Sequence, residues 1–140
     1  MDWTHVPTVF LALVFTAGNL QAQDNERRVA ISEPGNFSTV TNPFRVCMEA
    51  YGLIVEPTDG DPHEGRGHHH VLFSSLPKDL NRPLRRKEAI HLSEGQHCVT
   101  LKMEPGKHVI IALFSYGNHV PYNPPISDRI LVTVRDPGRP

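Results

Sequence analysis

The sequence predicts an all-β domain, an immunoglobulin-like antiparallel β-sandwich of about seven short strands. Three observations point there. Thirteen prolines and ten glycines are spread over 140 residues, which works against long helices. Several runs alternate apolar and polar residues, the period of a strand buried on one face. Turn-forming clusters separate those runs at short intervals.

The chain opens with an almost wholly apolar run, Val6 to Val14, that fades through Phe15-Thr16-Ala17-Gly18 into Asn19-Leu20-Gln21-Ala22-Gln23. The run is too short to span a bilayer as a stable helix and reads as a secretory signal over residues 1–22. Cleavage is expected near Ala22 or Gln23, with Gly18 as an alternative. The leading segment departs from a typical signal in carrying Asp2 and no Lys or Arg. Residues 23–140 are then one secreted domain, periplasmic if the source is bacterial, with its core at about 29–135. No later segment is expected to cross a membrane. A net charge of −1 supplies no overall field for nucleic acid or an anionic membrane.

Val29-Ala30-Ile31 forms the first short strand, closed by Glu33-Pro34-Gly35-Asn36. Asn36-Phe37-Ser38 is a glycosylation acceptor if the source is eukaryotic. Phe44, Val46, Met48 and Ala50 then point one way, with Arg45, Cys47 and Glu49 opposite. Gly52 to Val55 is expected to continue that strand past a bulge or bend. Pro57 to Gly67 is a long polar loop of a kind that is often functional. His68 to Ser75 is the next strand, with His69, Val71 and Phe73 on one face and His68, His70 and Leu72 on the other.

Pro77 to Glu88 carries Lys78, Arg82, Arg85, Arg86 and Lys87, which reads as solvated surface or as an anion or acidic-glycan site. Ala89 to Leu92 is a short strand ended by Ser93-Glu94-Gly95. Residues 96–114 read as a hairpin about the Glu104-Pro105-Gly106-Lys107 turn. Val109 to Phe114 is apolar on both faces and is expected to be the most buried strand. Ser115 to Pro125 is a stiff loop whose prolines would hold His119 in one direction. Ile130, Val132 and Val134 alternate with Arg129, Leu131 and Thr133 in the last strand, and Asp136 to Pro140 is tail.

Export would put Cys47 and Cys98 in an oxidising compartment, where two cysteines most simply pair. Two free, partly buried thiols are the alternative. Both cysteines lie opposite the more apolar set of their strands. A bridge would therefore join neighbouring strands or cover a sheet face, unlike the buried inter-sheet link of antibody domains.

Several stretches together resemble a largely uncharacterised family of exported bacterial domains with a Gly-His-His-His-Leu-Leu signature, a domain of unknown function. They are Val40-Thr41-Asn42-Pro43-Phe44-Arg45-Val46, Gly52 to Pro57, Gly67-His68-His69-His70-Val71-Leu72, and Asp79-Leu80-Asn81-Arg82-Pro83-Leu84. Ile90-His91-Leu92, Gly95-Gln96, Pro105-Gly106-Lys107-His108 and Asn118-His119-Val120-Pro121-Tyr122-Asn123-Pro124-Pro125 follow in the same order. The resemblance covers about residues 33–135 and implies a secreted all-β domain with its histidines near one another, so Asn118-His119 should meet the His68–His70 stretch. It brings no reaction. Phe73-Ser74 lacks the acidic residue that often follows the triplet, and Ser115-Tyr116-Gly117 replaces the usual Gly-Asp. Tyr122 stands where a histidine is common, and the two cysteines are an addition. These changes remove carboxylate and imidazole groups.

Strand parity makes His68 and His70 a possible ligand pair for Zn²⁺ or Cu²⁺, with His119 as third ligand and His91 or His108 as fourth ligand or supporting partner. The opposing reading makes the histidines scaffold, with His69 a hydrogen-bonded core residue that holds the Asn118-His119 loop. No nucleophile motif, phosphate loop or dinucleotide fingerprint points to an enzyme. A third reading is a matrix module that presents Arg82–Lys87, the Tyr116/Tyr122 loop and a glycan at Asn36 to extracellular polymers or mineral.

Overall fold

The computed structural model describes residues 26–138, so the signal segment at 1–22 lies outside the described residues. Among the described residues the fold is all-β. Its nine strands are β1 (Arg28–Glu33), β2 (Thr39–Thr41), β3 (Phe44–Tyr51), β4 (Ile54–Val55), β5 (Arg66–Phe73), β6 (Ile90–His91), β7 (Cys98–Leu101), β8 (Gly106–Ser115) and β9 (Ser127–Arg135). They form a three-stranded sheet, β1-β3-β7, and a six-stranded sheet, β2-β9-β8-β5-β4, with β6 also paired to β5. The alternating apolar residues meet between the two sheets. Val46 and Met48 of β3 pack there with Val71 of β5, Ile110, Ala112 and Phe114 of β8, and Val132 and Val134 of β9.

Three parts of this topology differ from the sequence expectation. The sandwich is not purely antiparallel, because the short strands β2 and β4 pair in parallel with β9 and β5. Residues 54–55 do not continue β3. Gly52 adopts φ 64°, a conformation open to glycine at little cost, and turns the chain out to the other sheet. Residues 96–114 also do not form a hairpin. β7 pairs with β3 in one sheet, whereas β8 pairs with β5 and β9 in the other, so Pro105-Gly106 carries the chain across. A strand apolar on both faces must lie in the middle of a covered sheet, and beside β7 only one of its faces would be covered.

The six-stranded sheet is covered on its outer face as well. Leu72, Ile111 and Leu113 point outward and are buried by Leu84 and Ala89, with Leu76 packed alongside. The segment between β5 and β6 therefore acts as a lid on the two central strands, and β5 and β8 have no solvated face over most of their length.

Cys47 and Cys98 are register partners on β3 and β7 and are disulfide-bonded, with Cα atoms 4.1 Å apart. The bond joins neighbouring strands on the side away from the core, and the Arg45 guanidinium lies 3.1 Å from Cys98 Sγ. It closes a loop with a sequence separation of 51, worth about 4 kcal/mol on the chain-entropy relation. The Cys47→Ser/Cys98→Ser variant is expected to lose up to about that much in urea unfolding. A loss near zero would show that the paired strands alone hold this edge.

Candidate metal centre

The registers of β5 decide which histidines can meet. His68, His70 and Leu72 pair with Ser115, Leu113 and Ile111 of β8 and share the outer row. His69 and Val71 pair with Phe114 and Ala112 and face the core between the sheets. On the other flank of β5, His70 pairs with His91 of β6, which puts their rings side by side with centroids 4.5 Å apart. The first residue of the Gly-His-His-His run has its own constraint. A Cβ on Gly67 would stand 1.9 Å from the Ser115 carbonyl oxygen, so only glycine lets β5 start this close to the end of β8.

His119 arrives from the loop after β8. Its φ of 65° is a left-handed conformation that costs a residue with a Cβ about 1–2 kcal/mol. Four hydrogen bonds hold it. The His119 amide donates to Tyr116 O (2.9 Å), Tyr116 N to Val120 O (3.0 Å), and Leu84 N to His119 O (2.9 Å). Val120 N donates to Asn118 Oδ1 at 3.1 Å. The result is a ring aimed into the outer face of β5. His119 Nδ1 lies 2.9 Å from His68 Nε2, 3.4 Å from His70 Nε2 and 3.2 Å from His91 Nδ1.

A ring nitrogen carries either one proton or one in-plane lone pair. His119 Nδ1 can therefore make a good hydrogen bond to one of these three partners and not to the others. A tetrahedral ion with metal–nitrogen bonds of about 2.0–2.1 Å would hold its ligand nitrogens about 3.3 Å apart, close to the spacings found. His68, His70 and His119 each offer one atom within 4.8 Å of the other two. These three histidines could hold a metal ion, with His91 beside them.

The family model described as Domain of unknown function (DUF4399) matches residues 46–135. The chain belongs to the DUF4399 family. The matched span includes both the Gly67-His68-His69-His70 run and the Asn118-His119 loop. No curated protein matches the chain. Among solved structures the domain is similar to part of the endo-beta-1,4-mannanase from Thermotoga petrophila, at 13% identity and a TM-score of 0.49. The match covers 84% of this chain and 22% of the mannanase chain.

Burial sets the charge state of the DUF4399 histidines. His68, His69 and His70 have no exposed surface. Desolvation, reinforced by His119 and His91, pushes His68 from its ordinary 6.5 to about 4. Desolvation and His97 push His69 to about 4, and His70 is pushed down further. His119 is lowered too, by burial first and then by His91 and Arg86. The rings are thus neutral at pH 7, the form that ligates a metal. Among the described residues no carboxylate joins the group. The outward nitrogens His68 Nδ1, His70 Nδ1 and His91 Nε2 are buried without a hydrogen-bond partner among the described residues. Ligating histidines commonly have such a partner.

The other histidines stand apart. His108 Nε2 donates to the Glu104 carbonyl oxygen at 2.7 Å beside the 105–106 turn. It pairs with Val132 near the far end of β8 from Ser115, so it cannot serve as fourth ligand. His91 is the fourth histidine near the group, with its Nδ1 3.2 Å from His119 Nδ1. His69 is not the hydrogen-bonded loop anchor expected of it, since neither ring nitrogen has a partner among the described residues. It packs edge-on against Phe114 and near His97. The loop is anchored by Leu84 and Asn118 instead.

Two features near the site were not singled out from the sequence. Arg86 and Leu84 line a depression of about 490 Å³ that reaches His91 and His119. Asp59, Asp61 and His63 form a second, exposed group of ligand-type side chains. Of the groups assigned to polymer binding, Tyr122 is 5% exposed and stacks on Tyr116 at 3.9 Å. Arg82 is held by both oxygens of Glu88.

Two outcomes follow from this packing. Gly67→Ala should separate β5 from β8 at Ser115 and destabilise the domain by more than the usual cost of about 1–3 kcal/mol for overpacking; wild-type stability in urea would contradict the close approach. In metal-free protein the buried histidines bind fewer protons folded than unfolded, so stability is complete above about pH 6.5. It should fall as pH drops from there towards about 4, by a few kcal/mol in all. Urea midpoints that do not change between pH 7 and pH 5 would contradict neutral burial.

Proposed function

We propose that this protein is exported and binds one divalent transition-metal ion, Zn²⁺ or Cu²⁺, on His68, His70 and His119, with His91 as fourth ligand. The observation that carries the proposal is the approach of three ring nitrogens, from β5 and β6, to His119 Nδ1 at 2.9–3.4 Å. A single proton cannot serve them all, and a metal ion can. The donors are all imidazole, which suits zinc and copper better than calcium or magnesium, ions that take oxygen ligands. Neutral rings on covered strands need no deprotonation before they bind.

Export is supported by the apolar run at Val6–Val14 and by the Cys47–Cys98 bond, since disulfides persist in oxidising compartments. Asn36 is exposed and its Oδ1 accepts a hydrogen bond from Leu131 N at 2.9 Å, while the Ser38 hydroxyl of the same sequon is buried. The matrix or polysaccharide alternative has less support, because Tyr122 and Arg82 are engaged within the fold.

Calorimetry on tag-free, full-length protein is the test. One Zn²⁺ or Cu²⁺ per chain is expected, with affinity lowered more than about 100-fold in His68→Ala and His119→Ala and unchanged in His108→Ala. Affinity unaffected by His68→Ala and His119→Ala would remove the site.

A further inference from the structure

The four-histidine site has one open side. His68 and His70 come from the covered sheet and are fully buried. His91 and His119 line the depression of about 490 Å³, whose remaining wall is Leu84, Arg86 and Ser93. No lining residue is a carboxylate. Arg86 is exposed and makes no ion pair among the described residues, whereas nearby Arg82 is neutralised by Glu88 at 2.6 Å. The guanidinium is close enough to His119 to disfavour its protonation.

A divalent ion on four neutral imidazoles keeps its full double charge. The ligand set includes no acid to offset it, and Arg86 adds a third positive charge at the same opening. Charge held next to a low-dielectric wall attracts a counter-ion far more strongly than charge in water. A guanidinium fork also matches the two oxygens of a carboxylate or phosphate. Zinc sites can expand from four ligands to five.

We propose that this depression binds an oxoanion, a carboxylate or a phosphate group, between the metal ion and Arg86, with the Ser93 hydroxyl at its rim. The inference rests on the metal reading above and names the class of ligand that the metal site takes. Leu84 forms the apolar part of the wall, so the anion can be a free ion or the charged end of a small organic molecule.

The test uses full-length, tag-free protein loaded with one Cu²⁺, the copper being quantified before any anion is added. Acetate and inorganic phosphate are titrated separately while the copper absorption and electron paramagnetic resonance spectra are followed. At least one of them should shift the spectra saturably, acetate alone identifying a carboxylate site and phosphate alone a phosphate site. Arg86→Gln should weaken that anion tenfold or more and leave copper affinity within about twofold of wild type. Copper bound one to one with no spectral response to either anion would overturn the proposal. So would an anion response equally strong in Arg86→Gln. A protein that binds neither Cu²⁺ nor Zn²⁺ would overturn the metal reading and this inference together, and quantification of the bound metal shows which has failed.

Discussion

Burial of β5 on both faces is the constraint on which the rest of the site depends. An ordinary sandwich strand gives one face to the core and one to water, and histidines on the outer face would be solvated and free to protonate. Here the segment from Ser74 to Ala89 lies over the outer face, with Leu84 and Ala89 buried against Leu72, Ile111 and Leu113. The outer row that begins with Leu72 continues through His70 to His68 and stays dry. The same cover that completes a small second core therefore keeps two imidazoles neutral and pointing the same way.

The cover also connects the site to the rest of the chain. Leu84 belongs to the second core, donates its amide to His119 O and lines the depression. A single residue thus ties the lid, the strained His119 backbone and the open side of the site together. Left-handed strain at a residue with a Cβ persists only where its surroundings over-determine it. The bonds from Leu84, Val120, Tyr116 and His119 itself do so here, and the outcome is a ring nitrogen placed within 3.4 Å of three others.

Much of this was legible in the sequence, and what was not has a physical reason. Strand parity alone separates His68 and His70 from His69, and the resemblance over Asn118-His119 places that loop against them, which the 2.9 Å approach of His68 to His119 matches. Parity cannot say which sheet a strand joins. Alternation on either side of Pro105-Gly106 looks the same whether the chain turns back or crosses over, so the crossing has the sequence pattern of a hairpin. The choice between His91 and His108 had the same origin, because it depends on β6 pairing with His70 and on how far along β8 a residue lies. Arg86 is one of several cations in a basic run, and nothing local distinguishes it from Arg82. Only the path of the lid shows that Arg82 meets Glu88 while Arg86 faces the histidines.

In the proposed site, four imidazoles from three parts of the chain surround one ion. X-ray absorption spectroscopy of the zinc-loaded, full-length protein measures this directly. The expected spectrum shows coordination dominated by imidazole nitrogen at about 2.0 Å, with the outer-ring scattering of three to four histidines. A shell of five or six oxygens with little imidazole scattering would contradict it.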